Sequence, residues 1–204
     1  MGIFVKICGV CSGEDARAVA KLQPDAIGFI LWPKSKRAVK VNDVKEWVRD
    51  LPSTIVKVGV FVDQPPAQVR DEMAGAGLDV AQLQGSESPC AFNDLNIRLW
   101  KAAYAGKDAM ASLAAWRVDA FLVDTYSQEA PGGTGRVGDW TAAREFVLTC
   151  PSRVLLAGGL TPDNVAAAIR EVGPWGVDVS SGVEEKVRMK DLKRVRAFIE
   201  QCRS

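Results

Sequence analysis

Eight short apolar, β-branched runs recur along the chain at intervals of about 20 to 30 residues. They cover residues 5–8, 25–31, 57–62, 80–84, 97–101, 120–124, 153–158 and 176–180. Between most of them, apolar residues return at i, i+3 and i+4, the spacing of an amphipathic helix. This pattern holds over 13–22, 42–51, 66–77, 141–148, 161–172 and 190–202, and is weak after "GSESPC". Thr161 ahead of Pro162 predicts a capped helix start, and Asn42 predicts a cap for the second helix.

Strands that alternate with helices imply a parallel sheet, because parallel strands need long crossovers. An open doubly wound sheet usually has roughly five or six strands. Eight strand–helix units in 204 residues therefore predict an α/β fold: one TIM barrel, (β/α)8, spanning 1–204 as a single domain.

A barrel of this kind carries its active site at the C-terminal ends of the strands. That directs attention to Cys8, the loop after Leu31, Val62–Asp63, Gln84, Lys101, Asp124, Gly158–Gly159 and Ser180–Ser181. The net charge of +1 supplies no global field that would attract nucleic acid or a membrane surface. No apolar run reaches the roughly 18 residues that span a bilayer, and "MGIFVKICG" does not read as a signal peptide. Five cysteines, odd in number and scattered, suit a reducing compartment, and the cytoplasm is the expected location.

Cys8 is the most informative of these residues. It closes an apolar run in a chain that contains no histidine. "CGVC" could be a redox pair, or half of a zinc site with nothing to complete it, so no metal is expected; Cys8 could also be a plain buried thiol. A cysteine nucleophile normally has a base beside it, whereas a thiolate acting as a base needs only a lowered pKa. Strand alternation places Lys6 on the same face as Cys8. A cation there is expected to lower the thiol from its usual value of about 8.5. An inward lysine needs a carboxylate, and Asp178 in "GVDVSS" is the candidate.

Asp124 ends an otherwise apolar run, where a carboxylate is costly unless paired or used. It is followed by a long segment with "GGTG" at 132–135, a candidate oxyanion or phosphate loop. The loops at 158–159 and 180–182 hold only Gly and Ser, and they follow runs seven and eight, where barrels often bind phosphate. Arg37 lies on the loop after run two and can hold a carboxylate by two parallel bonds. A base, a carboxyl acid, a phosphate cradle and an arginine together suggest acid–base isomerisation of a phosphorylated sugar derivative that carries a carboxylate.

These motifs resemble the phosphoribosylanthranilate isomerase family of tryptophan biosynthesis. The matching residues are "KICG" at 6–9, "GF-x-x-x-PKS-x-R" at 28–37, "VGVFV" at 58–62 and "QL-x-G" at 82–85. They continue with "VD" at 123–124, "GGTG-x-x-x-DW" to residue 140, "LAGGLTP-x-NV" at 156–165 and "GVDVSSGVE" at 176–184. The resemblance implies an Amadori rearrangement of N-(5′-phosphoribosyl)anthranilate without a cofactor. It implies Cys8 as general base, Asp124 as general acid and Arg37 at the anthranilate carboxylate. Phosphate would lie against Gly133, Thr134, Gly135, Gly158, Gly159, Ser180, Ser181 and Gly182, with Lys6, Gln82 and Asp178 in support. The expected partner is this one small phosphorylated substrate, with no nucleic acid or membrane, on a monomer or homodimer. A barrel for the two-phosphate substrate of histidine synthesis, or one accepting both substrates, is the alternative. The chain departs from the family at Gln84 (usually His), Val10–Cys11, Lys36, Gly138 and the run "VEEKVRMKD", which lacks the usual Pro-Gly.

Overall fold

In the computed structural model, eight parallel strands close into a barrel in the order of the sequence. The structure describes residues 2–105, 110–124 and 139–204. The strands are β1 (Phe4–Ile7), β2 (Ala26–Ile30), β3 (Val56–Phe61), β4 (Val80–Leu83), β5 (Leu99–Tyr104), β6 (Ala120–Asp124), β7 (Arg153–Ala157) and β8 (Gly176–Val179). The helices are α1 (Gly13–Ala20), α2 (Val41–Val48), α3 (Pro66–Ala76), α4 (Pro89–Phe92), α5 (Met110–Leu113), α6 (Trp140–Thr149), α7 (Val165–Val172) and α8 (Leu192–Arg203). A short antiparallel hairpin, β9 (Glu184–Lys186) with β10 (Met189–Lys190), stands between β8 and α8.

Alternation along each strand divides the apolar residues into two cores. Outward residues such as Val5, Ile27, Phe29, Leu83, Val123 and Leu156 pack with the helices. Inward residues such as Ala26, Val58, Val80, Trp100, Leu122 and Leu155 fill the lumen. At the N-terminal end of the lumen, Phe4 stacks on Trp175 with ring centroids 4.4 Å apart and meets Trp100 edge-on at 5.9 Å. The Arg153 guanidinium lies 4.9 Å from the Trp175 ring centre. This aromatic layer leaves the usable space at the C-terminal mouth.

Three local expectations are corrected. The fifth strand runs on to Tyr104, because β6 pairs with it through Asp124 even though alanines at 102–103 give little strand signal. Lys101 is therefore mid-strand and turned outward, where its ammonium meets the carbonyls of Leu83 and Gly85 and the Glu87 carboxylate at 3.2 Å. Thr161 does not cap a helix. Its backbone N–H donates to Asn164 Oδ1, and residues 161–164 form a turn from which α7 starts at Val165. Asn42 sits inside the first turn of α2, whose cap position is Lys40 without a side-chain bond.

Candidate active site

The inward positions of β1 set the centre of the site. Phe4, Lys6 and Cys8 rise through the lumen in order, from the aromatic layer to the mouth. Lys6 is fully buried, and its Nζ donates to Asp178 Oδ1 at 2.8 Å. The barrel makes this pair, because Lys6 and Asp178 are register partners across the β1–β8 seam. Gly28 on β2 gives both β1 side chains their room. A Cβ there would come within 2.9 Å of the Cys8 sulfur and 3.1 Å of Lys6 Cε. Sequence reading placed Gly28 only in the motif at 28–37 and gave it no role of its own, although a glycine inside a strand often marks such a close approach.

Cys8 and Asp124 line the same cavity of about 320 Å³ at the mouth, with Gln82, Gln84, Gly158, Gly159, Asp178 and residues 180–182. Asp124 is half-buried at the end of β6. Gly158 and Gly159 both take positive φ, +94° and +66°, so consecutive amides can turn toward one point. Gly182 lies so close to the Leu160 carbonyl oxygen that a Cβ would overlap it, which ties the loops after β7 and β8 together. The Ser180 hydroxyl and Gln82 Oε1 are buried without a hydrogen-bond partner among the described residues. Gln82 Nε2 donates to Gln84 Oε1 at 2.8 Å. Unpartnered buried polar atoms around a cavity are what a polar ligand would satisfy. Gly133, Thr134 and Gly135 lie outside the described residues.

The electrostatics correct one expectation. The Cys8 thiol is pushed above its ordinary value, because burial disfavours the thiolate more than Lys6 favours it, and Asp178 adds repulsion. Burial also acts against the Lys6 ammonium, yet Asp178 and Cys8 together raise it above its ordinary value. Cys8 therefore rests as a thiol beside a held cation. The second cysteine of the C-x-x-C has a bracing role. Cys11 Sγ lies 3.3 Å from the Gly9 carbonyl and 3.5 Å from that of Arg37, and burial raises its pKa.

Arg37 adjoins the mouth next to Gly9, whose added Cβ would meet both Arg37 Cδ and Ser180 Oγ at 2.8 Å. It is already engaged. Its Nε and Nη2 donate to the two oxygens of Glu184 at 2.7 and 2.6 Å. Glu184 is also 3.4 Å from Lys190 Nζ, and both of these side chains are buried. Sequence reading missed Glu184 and Lys190 as site residues. They lie in a polar run without periodicity, and only the hairpin folds them inward.

The family model described as N-(5′-phosphoribosyl)anthranilate isomerase matches residues 5–201. An N-(5′-phosphoribosyl)anthranilate isomerase of Pelobacter propionicus is 41% identical over 198 residues, 97% of this chain and 94% of that protein. The crystal structure of the Thermotoga maritima phosphoribosyl anthranilate isomerase superposes with a TM-score of 0.90 at 34% identity, covering 98% of each chain. A phosphoribosyl anthranilate isomerase in complex with reduced 1-(o-carboxyphenylamino)-1-deoxyribulose 5-phosphate superposes with a TM-score of 0.86 at 32% identity, again over 98% of each chain. With the matched family model, the full-length relatives and the shared barrel in agreement, the chain belongs to the N-(5′-phosphoribosyl)anthranilate isomerase family.

Proposed function

We propose that this chain converts N-(5′-phosphoribosyl)anthranilate into 1-(2-carboxyphenylamino)-1-deoxyribulose 5-phosphate, with Cys8 as general base and Asp124 as general acid. The observation that carries this reading is the shared cavity: a thiol and a carboxyl line one mouth, on the strands that flank the loops suited to phosphate. Asp124 delivers a proton to the furanose ring oxygen, and the C1′–O bond breaks to leave an open-chain iminium ion. The Cys8 thiolate removes the C2′ proton, and the C–H electron pair moves toward the iminium nitrogen to give an enolamine. Tautomerisation to the ketone completes the rearrangement. The iminium is the electron sink, so no oxidant or reductant is consumed.

Asp124→Asn is expected to lower kcat by about 10²- to 10⁴-fold, the usual share of a positioned acid. The loss of anthranilate fluorescence during turnover measures it, and kcat within threefold of wild type removes the acid assignment. Gly182→Ala is expected to act on binding. The overlap with Leu160 corresponds to about 1–3 kcal/mol of strain, a roughly ten- to hundredfold rise in KM. A steady-state KM unchanged in that variant separates the 180–182 loop from phosphate.

The competing two-phosphate substrate requires a second cradle across the barrel, in the loops after β3 and β4. The amides there are occupied by the chain's own carboxylates. Glu87 Oε1 accepts from Asp63 N at 3.1 Å and Gly85 N at 3.0 Å, and Asp63 Oδ1 accepts from Ser86 N at 2.6 Å. This supports a substrate with one phosphate. Assaying both substrates side by side tests it.

A further inference from the structure

Arg37, Glu184 and Lys190 form a charge cluster with one anion and two cations. The bidentate Arg37–Glu184 contact uses the Nε–Nη2 edge of the guanidinium and leaves the Nη1–Nη2 edge available. Taken alone, such a pair is neutral and would offer a substrate carboxylate little attraction. Lys190 changes that balance. Its ammonium is 3.4 Å from Glu184 Oε1 and donates to the Ser180 carbonyl at 3.0 Å. Its side chain is fully buried, so water does not screen the interaction. Hairpin contacts hold it in place. Lys190 N donates to Asp15 Oδ2, and Arg188 Nη1 donates to the Lys36 and Ala38 carbonyls on either side of Arg37. Glu184 stays below the ordinary carboxylate range despite its burial, because both cations favour its charged form. Burial draws the Lys190 ammonium below the ordinary lysine value, and Glu184 opposes that shift.

We infer that Lys190 is a positioning residue for the substrate carboxylate. It neutralises Glu184, so that Arg37, oriented by the same Glu184, keeps a net positive charge and one free edge for the anthranilate carboxylate. The inference rests on the proposed function. It adds that the departing run "VEEKVRMKD" contributes directly to substrate selection.

The test uses two ligands: the reduced carboxyphenylamino product analogue and its phenylamino counterpart, which lacks the carboxylate. Their Kd values are measured by calorimetry on the whole protein. Lys190→Met is expected to weaken the carboxylated ligand about tenfold, equivalent to about 1.4 kcal/mol, and to leave the other within about twofold. Lys190→Arg is expected to retain the preference. Glu184→Gln combined with Lys190→Met is expected to regain it, because Arg37 is no longer neutralised. The double variant leaves no unpaired carboxylate beside Arg37, whose guanidinium keeps 21% side-chain exposure, and it carries the test if Lys190→Met does not fold. Equal weakening of both ligands would mean that Lys190 only supports the loop, and would overturn the inference. A double variant no more selective than Lys190→Met, or lacking the preference where the single variant cannot be measured, overturns it as well. A wild-type chain that binds neither ligand removes the functional reading itself, an outcome distinct from failure in the variants.

Discussion

Cys8→Ala is expected to reduce kcat for phosphoribosylanthranilate by about 10³-fold or more, within the usual range for a general base. The fold should survive, because the small void left behind opens onto the mouth cavity that Cys8 already lines. Calorimetric binding of the reduced product analogue should stay within a few-fold of wild type, so the loss appears in kcat. A variant with kcat within tenfold of wild type would falsify the assignment. The raised thiol pKa adds a signature in the wild-type protein. A thiol held above its ordinary value is mostly protonated at neutral pH. With the thiolate as the proposed base, kcat/KM should climb with pH across the neutral range, close to tenfold per unit. The rise should flatten only on the alkaline side of the ordinary thiol value. Cys8→Ala should lack this limb altogether.

The largest expected change in stability follows from Lys6→Met. The variant keeps the length and apolar body of the side chain but leaves Asp178 without its ammonium at 2.8 Å. Removing one partner of a buried pair costs about 3–5 kcal/mol. Asp178 keeps 10% side-chain exposure at the lumen, which favours the lower end of that range. At roughly 2–4 °C per kcal/mol for a chain of this size, Tm should fall by about 6–12 °C. The same substitution moves the activity profile in a known direction. Lys6 favours the Cys8 thiolate, so its loss raises the thiol pKa further and shifts the alkaline limb to higher pH. A Tm drop without that shift would confine Lys6 to a structural role. The stability supplied by the Lys6 pair is complete below the ordinary lysine value of 10.5. It is lost as pH rises past the higher folded value.

Much of this was legible in the sequence, for a physical reason. A two-residue period along a strand is robust, so Lys6 and Cys8 fell on one face, with Asp178 as the candidate partner and Asp124 at a strand end, as soon as the eight runs were recognised. Partnerships across long sequence separations were less visible. Arg37 suits carboxylate capture by residue type, but no local pattern announces that Glu184, 147 residues away, already holds one of its edges. The sign of the Cys8 shift was similarly hidden. Sequence supplied the neighbouring cation, but only packing reveals that burial outweighs it. Helix starts were misread where side chains had two uses. Asn164 closes a turn on Thr161 and so shifts the start of α7 past Pro162.

The β1–β8 seam has a consequence for synthesis. It joins the fourth residue of the chain to the 176th, and it carries the Lys6–Asp178 contact across 172 positions. On the ribosome, Lys6 emerges 172 residues ahead of its counter-ion. Until residue 178 leaves the exit tunnel, the lysine has no partner and belongs in water. The nascent chain can thus assemble its early strand–helix units, but it cannot dehydrate the C-terminal end of β1. The candidate site is completed in the same event that closes the barrel.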